Sequence, residues 1–147
     1  MRYLLIFLAL AAGCILPLQA SINAKLGGVL KAPVVAALVN FVVGLIALLF
    51  FVVGSRTPIN IIQAIKQAPT YSWIGGLMGA SYVTTIIFLV PRLGAALSFG
   101  LIIAGQLIFS LVMDHYGFID LPQQSITPGR IMGALLIIAG VILIRKF

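Results

Sequence analysis

Five long stretches without a charged side chain divide this sequence: Tyr3 to Ala24, Ala32 to Ser55, Gln67 to Pro91, Leu93 to Met113 and Ile131 to Ile144. Crossing about 30 Å of hydrocarbon takes about 20 apolar residues in a helix, and the first four stretches each supply that length. The fifth does so when it runs from Pro128 to Phe147, with Arg130 and Arg145 reaching the headgroups on flexible stems. The expectation is an all-α integral membrane protein in one membrane domain, 1–147, with spans near 3–24, 34–53, 72–91, 93–113 and 128–147. Composition agrees: 63% of the residues are hydrophobic and 7% charged, against roughly 45–50% and about 25% in soluble domains. The longest connection, from Asp114 to Arg130, is too short to enclose a soluble core.

A net charge of +7 would point to nucleic acid in a soluble chain. Here the Lys and Arg residues sit at span ends and in short connections, which is anchoring chemistry, and no nucleic-acid partner is expected. The single cysteine, Cys14, rules out an intramolecular disulfide and leaves no cysteine-based zinc site. Asp114, His115 and Asp120 lack metal-ligand spacing, so neither metal nor cofactor is expected. With one His, one Cys and two acids, the chain offers no base and nucleophile pair inside a span, and an enzyme is not expected.

The first span imitates a secretory signal: a basic Arg2, an apolar run, and a small-residue ending at Ala20, with Ala11 to Cys14 resembling a lipidation site. Its uncharged run is longer than the 7–15 apolar residues usual in a signal, and four spans follow it. The span is therefore expected to be retained and Cys14 to be an unmodified buried hydrophobe. Pro17 inside it cannot donate to the Gly13 carbonyl, and a kink is expected there. Gln19 and Asn23, four residues apart, share a helical face. Unpaired amides are costly in hydrocarbon, so that face points either into a wet cavity or into a helix-to-helix hydrogen bond.

Other candidates follow along the chain. Asn40, one turn before Gly44, is a packing contact or a site. Thr57 as N-cap and Pro58 at the first turn, with Pro69 after the end, outline a short helix in the headgroup region or a packed connector. The third span opens with Trp73. Its glycines, Gly75, Gly76 and Gly79, permit close approach, and Ser81, Thr84 and Thr85 form a polar stripe beside Tyr82. Such hydroxyls also bond back to the i−4 carbonyl. Pro91 and Arg92 are expected to end this span. In the fourth, Ala96, Gly100 and Ala104 form a small-residue groove and Gln106, Ser110 and Asp114 an adjoining polar stripe. Asp114, at the membrane edge, is a candidate for coupling or gating, or an end-of-helix carboxylate bonded to the following loop. Gly129, Gly133 and Gly140 give the last span a packing groove.

Several of these residues together resemble the YdcZ-type five-helix branch of the drug/metabolite transporter superfamily. They are Gly13, Pro17, Gln19, Asn23 and Gly27 in the first span, Gly75, Gly76 and Gly79 in the third, and Pro91 and Gly94 at the turn after it. Gly105, Gln106, Ser110, Asp114, His115 and Gly117 in the fourth, with Arg130 and Gly133 before the last, complete the pattern. The resemblance implies a transporter of the bacterial inner membrane built from antiparallel copies, with a pathway lined by the first, third and fourth spans. The intramembrane glutamate of the related four-helix multidrug transporters is lacking.

Charge placement supports opposed copies independently. One side carries Arg2, Arg56, Lys66 and Arg130, and the other Lys25, Lys31, Arg92, Arg145 and Lys146, so the positive-inside bias is nearly nil. Two opposed copies would form an inverted repeat. The resulting expectation is a multi-pass antiparallel homodimer in the lipid bilayer that moves a neutral or zwitterionic small-molecule solute by alternating access. Gln19 and Asn23 would contact the solute, Gln106 and Ser110 would face them, and Asn40, Ser81, Tyr82 and Thr85 would complete the lining. The competing readings are a dual-topology ion channel, a subunit needing a paired partner, or a purely structural protein.

Overall fold

A computed structural model describes all 147 residues, and it contains helices and no strands. In order these are α1 (Arg2–Leu30), α2 (Pro33–Gly54), the short α3 (Ile61–Gln67), a 3-10 turn (Thr70–Ile74) running into α4 (Gly75–Leu93), α5 (Ala95–Tyr116), a second 3-10 turn (Phe118–Asp120) and α6 (Pro128–Lys146). Five helices are long and apolar enough to cross a membrane, counting Thr70–Leu93 as one. The chain forms two compact units, Met1–Pro91 and Arg92–Phe147.

In the first unit, α1 runs unbroken through Pro17 and continues past Ala24 to Leu30. It stops where Lys31 turns left-handed (φ 50°) and the Lys31 and Ala32 amides close onto the Gly28 and Gly27 carbonyls. This arrangement satisfies carbonyls that the helix leaves open. Pro33 then opens α2, where its missing N–H costs nothing. The resulting hairpin packs through small residues. Ala20, Asn23 and Gly27 on α1 are buried, as are Ala36 and Ala37 at the start of α2. Ile87 of α4 seals this seam at 2% exposure, with Leu26 and Val83 at its edge. A Cβ on Gly27 would stand 2.7 Å from Ile87 Cγ2, so only glycine fits there without movement.

Two expected boundaries fall elsewhere. The short helix α3 begins after Asn60, not at Thr57. The Thr57 hydroxyl instead pairs with Ser55 Oγ at 2.7 Å, so it does not serve as a cap. Nor does Pro91 end its span: α4 passes through it to Leu93, and the break comes at Gly94, whose φ of 78° suits glycine. Pro91 forfeits the bond its N–H would make to the Ile87 carbonyl, and the helix closes two residues later.

The second unit is a hairpin of α5 and α6. Gly100 lies against α6, where an added Cβ would meet Val141 Cγ2 at 3.0 Å. Buried Ser98 and Phe99 on α5 and Ala134 and Val141 on α6 form its interior. Ser98 satisfies its hydroxyl on the Gly94 carbonyl at 2.6 Å. At the far end α5 closes on left-handed Gly117 (φ 63°), and α6 opens with Thr127 as a true N-cap, its Oγ1 accepting from the Arg130 amide, and Pro128 in the first turn.

Candidate functional site

In the first unit, two amides from different helices open onto one cavity. Gln19 of α1 and Asn40 of α2 line a space of about 490 Å³ together with Phe41, Gly44 and Leu48 of α2 and Val83 of α4. Gln19 is exposed and Asn40 half-buried. The lining contains no charged side chain, so it offers hydrogen bonds and apolar contact. That combination suits a neutral or zwitterionic molecule better than a lone ion, which would need its hydration replaced.

Asn23 stands apart from that cavity. It shares a helical face with Gln19, as the spacing predicts, but it lies in the small-residue seam between Ala20 and Gly27 and is only 6% exposed. The seam and the cavity adjoin on α1, and the two amides fall one on each.

The hydroxyl stripe of α4 is partly occupied by its own helix. Ser81 Oγ donates to the Leu77 carbonyl at 3.0 Å and Thr84 Oγ1 to the Ala80 carbonyl at 2.8 Å. Each keeps lone pairs free to accept. Thr84 and Thr85 line a separate cavity of about 420 Å³ with Pro33, Val34 and Phe88. Tyr82 is half-buried. Gly79 approaches Phe41 closely, an added Cβ falling 3.6 Å from Cζ, whereas Gly75 and Gly133 have open space within 4 Å of theirs.

In the second unit, Gln106 and Ser110 lie exposed on α5, and Ala104 is half-buried. Asp114, the last member of their stripe, is engaged: its Oδ2 pairs with Arg130 Nη2. Around this ion pair the connection folds into a clasp. Arg130 Nη1 donates to the Gln124 carbonyl at 3.1 Å, the Gln124 amide to the Asp114 carbonyl at 2.8 Å, and Gln123 Nε2 to the His115 carbonyl at 2.9 Å. The Ile126 amide donates to His115 Nδ1 at 3.4 Å. The sequence offers no periodic signal for this clasp, since its partners are separated by a loop; its only trace is that both acids, Asp114 and Asp120, fall in the same connection as Arg130.

Comparison with known proteins completes these observations. The family model DMT_YdcZ, described as "Putative inner membrane exporter, YdcZ", matches residues 4–143. The chain is similar to the inner membrane protein YdcZ of Escherichia coli (strain K12), 26% identical over 140 residues that cover 93% of this chain and 91% of that protein. No solved structure matches.

Proposed function

The chain belongs to the YdcZ family of multi-pass inner membrane transport proteins, and on that premise we propose that it carries a small neutral or zwitterionic solute across the membrane. The observation behind this reading is the cavity shared by Gln19 and Asn40: two uncharged amides from two spans, opening on apolar walls within a membrane-spanning unit. We assign these two amides as hydrogen-bonding contacts to the solute. Ser81, Tyr82 and Thr85 on α4, and Gln106 and Ser110 on α5, are proposed as further polar contacts. Asn23, which lies in the seam, is proposed to contact solute only if its amide turns toward Gln19.

The working unit is proposed to be two oppositely inserted copies. Five spans put the chain ends on opposite faces, and the near-equal Lys and Arg count on the two sides leaves insertion without a preferred direction. Opposed copies supply the inverted repeat that alternating access needs. Asp114 is held by Arg130 in each copy, so any gating through this carboxylate would first have to open the clasp.

Solute-dependent thermal stabilisation of purified protein across a metabolite panel, followed by flux in liposomes, tests the reading. Saturable flux that falls in Gln19→Leu and Asn40→Leu supports it. Conductance without saturation would replace it with a channel. Topology is tested with Gln124→Cys in a Cys14→Ala background, a site whose hydrogen bonds use only its main chain. Labelling from both faces is expected, and labelling from one face alone would remove the opposed homodimer.

A further inference from the structure

The connection between α2 and the Thr70 turn takes no part in the solute cavity, yet it is built with two distinct faces. Around α3, Ile61, Ile62 and Ile65 cluster on one side, and Gln63, Lys66 and Gln67, spaced i, i+3, i+4, on the other. The isoleucines are uncovered: Ile61 is 57%, Ile62 75% and Ile65 63% exposed, and the preceding Ile59 62%. Asn60, Gln63, Lys66 and Gln67 line an open cavity of about 600 Å³ whose apolar walls are Ile59, Ile61 and Ile62, so apolar and polar side chains meet along its edge and Ile65 lies outside it. Residues 55–69 include Arg56 and Lys66 and no acid.

Tethering decides what covers this face. The connection leaves one span-length helix at Gly54 and joins the next at Thr70, so with both helices crossing the bilayer its two ends lie at the surface. A short helix held there with Ile61, Ile62 and Ile65 bare on one side meets lipid as a continuation of the surface its neighbouring spans already present. A polar side bearing cations and amides belongs at headgroup depth. The absence of any acid leaves Arg56 and Lys66 as uncompensated positive charge, which selects anionic headgroups.

We propose that residues 55–69 form an interfacial binding segment for an anionic phospholipid. Lys66 and Arg56 meet its phosphate, Asn60, Gln63 and Gln67 bond the rest of the headgroup, and the isoleucines lie at the acyl boundary. This assignment is independent of the solute reading and survives if that reading fails.

The test uses the full chain in nanodiscs of phosphatidylcholine, with or without phosphatidylglycerol. A spin label at Ile62→Cys in the Cys14→Ala background is expected to collide with dissolved oxygen and to be shielded from an aqueous nickel chelate. Purified protein is expected to retain phosphatidylglycerol over phosphatidylcholine. Lys66→Gln should cut that preference about five-fold, from roughly 1 kcal/mol per surface cation, Lys66→Arg should restore it, and thermal stability should not change. Free access of the nickel chelate to the label overturns the proposal. Shielding from both reagents also overturns it, because a second copy would then cover the face. So does a lipid preference that ignores Lys66→Gln and Arg56→Gln.

Discussion

The two units handle their polar groups in opposite ways. In Met1–Pro91 the amides of Gln19 and Asn40 face an open cavity, and packing is left to Ala20, Gly27, Ala36, Ala37 and Ile87. In Arg92–Phe147 the strongest polar groups hold the hairpin together: Asp114 pairs with Arg130, Thr127 caps α6, and two glutamines fasten the connection. An uncharged amide left facing a cavity inside hydrocarbon has a cost that structure alone does not repay. A charged pair at the membrane edge, where water is near, has an ordinary structural use. The difference puts Gln19 and Asn40 first among the candidate solute contacts, ahead of the exposed Gln106 and Ser110 of the second unit.

The seam is the place where this contrast breaks most sharply. Gly27→Val puts branched atoms where Ile87 Cγ2 already stands 2.7 Å from an added Cβ, and overpacking of this kind costs about 1–3 kcal/mol. Thermal unfolding in detergent should show the loss. Gly27→Ala should cost less when Ile87→Ala is also present than the two single changes predict, because the residues touch. An unchanged melting temperature in Gly27→Val would dissolve the seam as described.

The paired amides sharpen the comparison next. Gln19→Leu is expected to weaken solute affinity by roughly 2- to 10-fold, the worth of a hydrogen bond of about 0.5–1.5 kcal/mol, with the melting temperature unchanged. Asn23→Leu is expected to do the reverse, since its side chain lies in the seam at 6% exposure. If both lower affinity and leave stability alone, seam and cavity form one site.

Smaller still is the clasp. Asp114→Asn and Arg130→Gln should each lower stability by about 0.5–1 kcal/mol, as both side chains are partly exposed, 29% and 28%. Their double-mutant cycle should show coupling, and Gln19-dependent affinity should persist. Loss of flux at unchanged stability would instead move Asp114 into the transport step. Least of all, Gly75→Ala should leave stability level or raise it slightly, because nothing lies within 4 Å of the new methyl and alanine favours helix. A clear loss there would mean that a second copy approaches α4 at that point.

Much of the fold was legible in one dimension. Five charge-free runs become five span-length helices because lipid leaves the backbone no other partner than itself. Pro128 marks the start of the last helix for the reason such prolines usually do. What the residues could not show was which side of a shared face a neighbour would take. Gln19 and Asn23 have the helical spacing of one stripe, and α2 and α4 cover only the second. The clasp was hidden for another reason: Asp114 and Arg130 meet across a loop, and no helical or strand period relates residues joined that way. Thr57 misled because a cap needs the chain to enter a helix directly behind it, and here Ser55 competes for the hydroxyl.

Where the first unit is packed also sets how it can move. The buried residues of α1, Ala20, Asn23 and Gly27, all lie in its C-terminal half, while residues 2–10 are exposed throughout. Mechanically this is a cantilever, gripped beside the α1–α2 turn and unsupported by its own unit toward the amino end. The free arm from Arg2 to Gln19 is about 27 Å at 1.5 Å per residue, so a rocking of about 10° at the grip sweeps its tip by roughly 5 Å, a full helical pitch. Gln19 sits next to the fulcrum and would hardly shift during that stroke. Such a rod can carry a large displacement at one membrane face while keeping its amide almost still.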